Sequence, residues 1–218
     1  MAALDFLESV YSVIFKSHPD IVSCRYRIMS QDGVYDSPIC SEKNGNKYST
    51  LIYYDCVGPT SAVVVKRQSI LDAGMFDVEL PARQDYDMWI RISKIGGIVN
   101  YIRDVKLTIY RMGEDSISTR GLNTINGTEM VLKKILDDKT VSQFAKEIKY
   151  CHYVQCGRNA ASLYNFRLAE NYFIKALNNK INLKIIALLV LSKQPKLYNC
   201  LRSLYRKYRT HKFKNSKL

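Results

Sequence analysis

The sequence predicts an α/β fold in residues 1–122 and an all-helical region in residues 123–218. Three observations support this division. Residues 21–29 alternate apolar and polar side chains, which is typical of a half-buried strand. Residues 61–65 form a short apolar, mostly β-branched run, which predicts a strand that is covered on both faces in the interior of an α/β sheet. Beyond residue 120 the apolar residues recur only at helical spacing, so we place the domain boundary near residue 122.

The first unit is predicted to begin with a helix at 4–15, since apolar residues recur there at intervals of three and four. The run ends before Pro19, and the strand at 21–29 follows. Gln31, Asp32 and Gly33 predict a turn, and the polar segment 35–47 predicts a surface loop. The apolar residues of the first helix are Leu4, Leu7, Val10, Tyr11, Ile14 and Phe15.

The remaining elements follow from glycine positions and apolar spacing. In the first unit we predict a strand at 61–65, a helix at 68–73 ended by Gly74, a helix at 85–94 ended by Gly96, and strands at 98–102 and 107–110. In the second unit the predicted helices are 125–136, 141–156, 160–164, 168–177, 183–191 and 196–208.

The formal net charge of +13 is concentrated at the C-terminus. From Asn171 to Leu218 there are twelve Lys and Arg residues and no acidic residue, whereas the rest of the chain is nearly neutral. A neutral body argues against nucleic-acid binding. The basic, amphipathic helix at 196–208 is typical of a segment that binds an anionic membrane surface. Alternatively, its apolar face packs on the preceding helix and the tail after Thr210 is solvated.

The six cysteines form no CxxC pair, and the sequence has neither a signal peptide nor an apolar run of about 20 residues. We therefore expect a cytoplasmic protein with free thiols that attaches peripherally to the inner face of the membrane. No His or Cys residues have the spacing of zinc ligands, so we predict no metal site from the residues alone.

Four linked motifs lie between Gly58 and Ser118. They are the apolar strand PTSAVVV at 59–65, LDAGMFD at 71–77, the helix QDYDMWIR at 84–91 and YRMGEDSIS at 110–118. Together they resemble the acceptor half of family 2 glycosyltransferases of the GT-A fold. The pattern of that family runs through an apolar strand, G-G-F-D, an E-D-x-D-L-W-x-R helix and Y-R-x-H in this order.

The resemblance covers roughly residues 3–120 and implies a partial GT-A, Rossmann-like mixed sheet with helices. It implies a glycosyltransferase that inverts the anomeric centre. Such an enzyme moves a sugar from a nucleotide-sugar to a glycan or lipid-linked acceptor in cell-surface polysaccharide synthesis.

Inverting transfer needs a carboxylate that accepts the proton of the acceptor hydroxyl, and the resemblance assigns this role to Asp85. From the residues alone, Asp85 is equally a candidate helix N-cap. The resemblance also implies that Asp87 and Trp89 contact the acceptor. Without it, Trp89 fits the core face of the helix, together with Ile90 and Ile92.

Arg111 matches the arginine that the family places near the donor diphosphate, a role that suits a permanent planar cation. The alternative is an ion pair with Glu114 or Asp115. Two positions depart from the family pattern: Gln84 replaces the usual Glu, and Gly113 replaces the usual His.

Family 2 enzymes also carry a nucleotide-binding strand and a D-x-D motif whose carboxylates hold Mn²⁺ or Mg²⁺. Neither precedes residue 58, and the D-x-D string at 85–87 belongs to the helix with the predicted base. We therefore expect only the acceptor-side half, without the D-x-D metal ligands. The alternative to an enzyme is a non-catalytic binding module that keeps half of the fold.

The C-terminal region contains the spacing of one tetratricopeptide-like helical hairpin, in Gly157, Ala169, Phe173 and Ala176. One copy cannot form a solenoid, so we interpret the pattern mainly as core packing and secondarily as a partner-docking surface.

Overall fold

The computed structural model has an α/β fold with a helical C-terminal region, as the sequence predicts. It describes residues 4–30, 33–37, 42–111, 121–198, 200, 201 and 203. The chain divides into two compact units, Met1–Ser116 and Ile117–Leu218. This division falls slightly before the boundary that we predicted near residue 122.

The sheet of the first unit is mixed and is built around one central strand. Strand β1 (Ile21–Ser30) pairs in parallel with β4 (Val99–Arg111) on one side. On its other side it pairs antiparallel with β3 (Val63–Val65) near its start and with β2 (Gly33–Asp36) near its end. The polar segment predicted as a loop therefore begins with a strand. The predicted turn at 31–33 lies mostly outside the described residues.

Strand β4 corrects the prediction of two separate strands at 98–102 and 107–110. It is continuous, but its pairing with β1 is irregular: Cys24 pairs with Ile102, whereas Arg25 pairs with Lys106. The shift in register falls between the two predicted strands, where the apolar pattern breaks. Such irregularities bend a strand and redirect its side chains, often beside functional sites.

Helix α1 (Leu4–Ser17) forms where predicted, but its buried face differs from the predicted one. Val10 packs with Val22 and Cys24 of β1, whereas Leu7, Tyr11 and Phe15 are 70%, 66% and 68% exposed. Both sets of residues have helical spacing, so the sequence pattern alone does not distinguish the face that meets the sheet.

The other helices of the first unit are short except for α4. They are α2 (Tyr48–Leu51), a 3₁₀ turn (Thr60–Ala62), α3 (Arg67–Asp72) and α4 (Gln84–Lys94). Asn46 fixes the C-terminal end of α4, since its Nδ2 donates to the carbonyls of Ser93 (2.5 Å) and Gly97 (3.0 Å). Gly97 is required at this end, because a Cβ there would lie 2.5 Å from the Ile92 side chain.

The described residues of the second unit are mostly helical. Its named elements are α5 (Gly121–Leu136), a 3₁₀ segment (Lys139–Phe144), α6 (Ala145–Ser162), α7 (Phe166–Leu177) and α8 (Leu183–Ser192). The predicted helices at 141–156 and 160–164 are thus largely one helix, α6. In the predicted helix at 196–208, residues 196–198, 200, 201 and 203 are helical, and the others lie outside the described residues.

The hairpin of α6 and α7 is held by close packing of small residues against an aromatic ring. Gly157 lies against Phe173, which is fully buried, and a Cβ at position 157 would lie 2.5 Å from the ring. Ala169 and Ala176 belong to the same core cluster. The tetratricopeptide-like spacing therefore describes core packing, as we mainly interpreted it.

No helix within the described ranges is both long and apolar enough to cross a bilayer. Near the C-terminus, Tyr198 packs edge-to-face against Phe166 with 5.4 Å between ring centroids. Leu197 and Leu201, by contrast, are 49% and 43% exposed.

Candidate functional site

Asp85, the predicted general base, lies in the first turn of α4 and is half-buried. The N-cap residue of α4 is Arg83, so Asp85 is not the N-cap that the residues alone suggested. Asp85 nevertheless binds the backbone of the first turn, because its Oδ1 accepts from the backbone N–H of Tyr86 (2.8 Å). Its Oδ2 accepts a long hydrogen bond from the hydroxyl of Thr60 (3.4 Å).

Asp87 and Trp89, the predicted acceptor contacts, are both buried. Asp87 Oδ2 lies 2.9 Å from Nε and 2.8 Å from Nη2 of Arg91, one helical turn further on. The same guanidinium also donates to the carbonyl of Ala73 at the end of α3. Asp87 therefore fixes α4 against α3, and the fully buried ring of Trp89 has no surface exposed to an acceptor.

Trp89 joins α4 to the loop that precedes β3. Its indole Nε1 donates to the carbonyl of Gly58 (3.1 Å), and the loop also contributes Thr60 to Asp85. Gly58 has a positive φ of 102°, a conformation that favours glycine. Residues 55–60 thus contact α4 at positions 85 and 89, which lie on one face of the helix.

A cleft of about 280 Å³ opens beside this loop. It lies between β1, β4 and residues 54–58, where the pairing of β1 with β4 is irregular. The cleft does not include Asp85, Asp87, Trp89 or Arg111. Its lining residues are Ser23, Cys24, Arg25, Tyr26, Ser37, Glu42, Tyr54, Asp55, Cys56, Val57, Gly58, Tyr101, Ile102 and Arg103.

Two carboxylates line this cleft, Glu42 and Asp55, and Asp55 is the one whose turn reaches Asp85. The Asp55 Oδ1 accepts from the backbone N–H groups of Val57 (3.0 Å) and Gly58 (2.9 Å). Burial raises the pKa of Asp55 above its ordinary value of 3.8, and the negative charge of Asp85 raises it further. The Gly58 amide and the positive charge of Arg83 act in the opposite direction.

Aromatic side chains and arginines make up the remaining functional groups of the cleft. Burial and the nearby charge of Asp55 raise the pKa of Tyr26 to about 12, so this phenol stays protonated and can donate a hydrogen bond. Arg103 lies over the ring of Tyr101, 5.1 Å from its centroid. Rings and fixed hydrogen-bonding groups together suit a polar ligand with an apolar face.

Arg25 is only weakly paired at the wall of the cleft. Its Nη2 lies 3.4 Å from Asp36 Oδ2, which is closer to Lys106 Nζ (2.6 Å). Within the described part of the chain, the Arg25 Nε has no hydrogen-bond partner. The Arg83 Nε also has no hydrogen-bond partner within the described residues, and the Arg83 backbone is left-handed (φ 69°). Arg25 and Arg83 each therefore keep one hydrogen-bond donor that no described residue satisfies.

Arg111, the predicted diphosphate-binding residue, is exposed at the end of β4. It pairs in register with Met29, whereas the cleft lies alongside Ser23–Tyr26, so the two are separated along β1. Its predicted alternative partners, Glu114 and Asp115, lie outside the described residues. The structure therefore does not bring Arg111 into the cleft.

Among the described residues, no group of three or more His, Cys, Asp or Glu side chains could hold a metal ion. In the D-x-D string at 85–87, Asp87 is committed to Arg91, and residues two apart on a helix do not face each other. Asp85 and Asp87 therefore do not present both carboxylates to one cation.

Comparison with protein-family models, with curated proteins and with solved structures finds no match to this chain. The four motifs at 59–118 are thus the only ground for relating it to family 2 glycosyltransferases.

Sequence reasoning missed Asp55 and Arg83. A signal for Asp55 was present, since Asp followed three residues later by Gly-Pro is typical of a turn that an aspartate closes. Arg83 had no such signal, because left-handed backbone at an arginine depends on how the chain enters α4.

The raised pKa of Asp55 predicts a pH-dependent effect of Asp55→Asn. The folded state binds the proton of Asp55 more tightly than the unfolded state does. The associated stability is therefore present below about pH 4 and is lost as the pH rises through the raised pKa. Asn keeps the Oδ1 acceptor and does not ionise.

We expect the free energy of unfolding of Asp55→Asn, relative to the parent, to increase in urea titrations as the pH rises above about 4. A difference that is constant with pH, or that changes in the opposite direction, would show that Asp55 is not perturbed.

Proposed function

We propose that this chain is the acceptor-side half of an inverting family 2 glycosyltransferase, with Asp85 as the general base. The observation that carries the proposal is the position of Asp85. Of the predicted residues on α4, it alone is accessible, it lies in the first turn, and its carboxylate is held on both oxygens. A fixed, accessible carboxylate at the positive end of a helix suits proton abstraction from a neutral hydroxyl.

In the proposed reaction, an acceptor hydroxyl oxygen attacks the anomeric carbon of the donor sugar. The new C–O bond forms on the face opposite the leaving group, and the bond to the nucleoside diphosphate breaks. The hydroxyl proton passes to the Asp85 carboxylate, and the diphosphate leaves with the bonding electron pair. Each carboxylate oxygen has two acceptor sites, so Asp85 can receive this proton while it keeps its bonds to Thr60 and Tyr86.

The cleft beside residues 55–58 is the proposed acceptor site. Its tyrosines offer flat surfaces for a sugar ring, and Asp55, Tyr26 and the arginines offer acceptors and donors for hydroxyl groups. At about 280 Å³ it suits a ligand of roughly one sugar unit. Asp85 does not line the cleft, but it accepts from Thr60, which follows the lining residue Gly58 by two positions, and we propose that the reacting hydroxyl of the acceptor lies beside it.

A non-catalytic binding module is the second candidate, and the burial of Asp87 and Trp89 favours it. If these residues only support α4, the cleft alone could bind a glycan without any transfer. The two candidates differ in one respect: a binding module retains glycan but forms no new glycosidic bond.

Transfer is the test of the catalytic proposal. In any form of this protein that transfers sugar, we expect Asp85→Asn to lower the rate by about 10²- to 10⁴-fold, the usual contribution of a positioned general base. Product formation from radiolabelled nucleotide-sugar measures the rate. The matched control is Asp72→Asn, which removes an exposed carboxylate on α3 that is hydrogen-bonded to Gln68.

Asp72→Asn should leave the rate unchanged. Parental activity of Asp85→Asn would contradict the assignment of the base. Glycan binding without transfer by the parent protein would support the binding module instead.

We also propose that the basic C-terminal segment attaches the protein peripherally to the cytoplasmic face of the membrane. The half-exposed Leu197 and Leu201 support this, because they leave apolar surface next to basic residues. The contact of Tyr198 with Phe166 supports the alternative that part of the helix packs on its own unit.

Liposome flotation distinguishes the two arrangements. We expect the protein to float with vesicles that contain anionic lipid, and to be released as the salt concentration rises. Truncation after Gln194 should abolish flotation. Equal binding to neutral vesicles, or flotation that survives the truncation, would contradict an electrostatic attachment.

A further inference from the structure

We infer that Asp55 is a positioning residue for Asp85, and that it acts through the turn formed by residues 55–60. This role was not among the sequence predictions, and it makes the turn between the cleft and α4 part of the site. Three sets of contacts carry the inference: those within the turn, those from the turn to α4, and those from the turn to the sheet.

Within the turn, Asp55 determines the backbone conformation. Its Oδ1 accepts from two consecutive amides, those of Val57 and Gly58, at 3.0 and 2.9 Å. A side-chain oxygen that accepts from amides two and three residues further along the chain closes a turn of the aspartate type. Glycine adopts positive and negative φ about equally, so Gly58 alone does not determine its φ of 102°. The two hydrogen bonds to Asp55 hold it there, and this conformation directs the Gly58 carbonyl toward Trp89.

From the turn, two hydrogen bonds reach α4. The Gly58 carbonyl accepts from the Trp89 indole (3.1 Å), and the Thr60 hydroxyl donates to Asp85 Oδ2 (3.4 Å). The bond to the buried Trp89 anchors the turn, and the bond to Asp85 orients the carboxylate. Because Thr60 follows Gly58 by only two residues, we expect a displacement of Gly58 from Trp89 to move Thr60 away from Asp85.

A further bond fixes the turn to the sheet. The buried hydroxyl of Ser23 in β1 donates to the Val57 carbonyl (2.6 Å). The turn therefore bridges the central strand and α4, with Asp55 at its start and Asp85 at its far side. Asp55 is also close enough to the start of α4 to interact with its charges, because Asp85 raises the pKa of Asp55 and Arg83 lowers it.

The catalytic meaning of this role rests on the proposed function of Asp85, but the physical link from Asp55 to Asp85 does not. The test therefore measures the link itself, without any transfer assay. The chain has a single tryptophan, Trp89, so the indole N–H gives one resolved NMR signal that reports its bond to Gly58. The ¹³Cγ shift of Asp85 reports the bond from Thr60.

Two variants separate geometry from charge at position 55. Asp55→Asn keeps an Oδ1 that can accept from both amides and loses the charge. Asp55→Glu keeps the charge but displaces the carboxylate by one methylene. The matched control is Asp77→Ala, which removes an aspartate that closes a turn elsewhere in the same unit by accepting from the Glu79 amide (2.9 Å).

In Asp55→Glu we expect hydrogen exchange of the Trp89 indole to accelerate about tenfold relative to a core amide of β1, and the Asp85 ¹³Cγ signal to shift. Asp55→Asn should keep both signals within about twofold of the parent and so rescue the link. Asp77→Ala should change neither. Because both test variants are conservative, the comparison does not depend on Asp55→Ala being folded.

Unchanged exchange and an unchanged Asp85 signal in Asp55→Glu would overturn the inference. Asp55→Asn behaving like Asp55→Glu would overturn it as well, since charge rather than turn geometry would then be responsible. These results are independent of the transfer assay. The link can hold while Asp85→Asn remains active, in which case only the proposed function fails.

Discussion

The hydrogen bond from the buried Trp89 indole to the Gly58 carbonyl is the contact on which the arrangement of the cleft depends. A fully buried indole N–H without a partner would be costly, so the bond strongly favours one position of the 55–60 turn against α4. That position places Thr60 beside Asp85 and Asp55 beside the cleft. Trp89 thus joins α4, which carries the candidate base Asp85, to the turn that begins at Asp55.

Polar contacts hold α4 near its middle and at its C-terminal end, in addition to apolar packing. Near its middle, Arg91 joins Asp87 to the Ala73 carbonyl, and at its end Asn46 binds the Ser93 and Gly97 carbonyls. These bonds are largely removed from solvent, so they fix direction as well as position. Asp85 consequently projects from a rigid element, which is what a catalytic or binding carboxylate requires.

The sequence predicted the elements well where a local pattern determined them. Glycines ended α4, and small residues packed the α6–α7 hairpin. The strand predicted at 61–65 was correct only for 63–65, because residues 60–62 form a 3₁₀ turn, and β3 is a half-buried strand that pairs, among the described strands, with β1 alone rather than a strand covered on both faces. Prediction from the sequence was wrong or incomplete where the structure depends on contacts between residues far apart in the chain. The buried face of α1 depends on where the sheet lies, β4 is continuous through an irregular pairing, and Asp55 gains its importance only from Trp89 and Thr60. Of the three predicted site residues on α4, Asp85 is accessible, whereas Asp87 and Trp89 are buried and support the helix.

We propose that the 55–60 turn and the first turn of α4 belong to one glycan-binding site, and NMR chemical-shift mapping of the ¹⁵N- and ¹³C-labelled chain during titration with acceptor-type oligosaccharides tests this most directly. We expect the signals of Asp55, Gly58, Thr60 and Asp85 to shift together with those of the cleft tyrosines, at one common affinity. Shifts confined to the second unit, or shifts in the cleft that leave Thr60 and Asp85 unaffected, would contradict it.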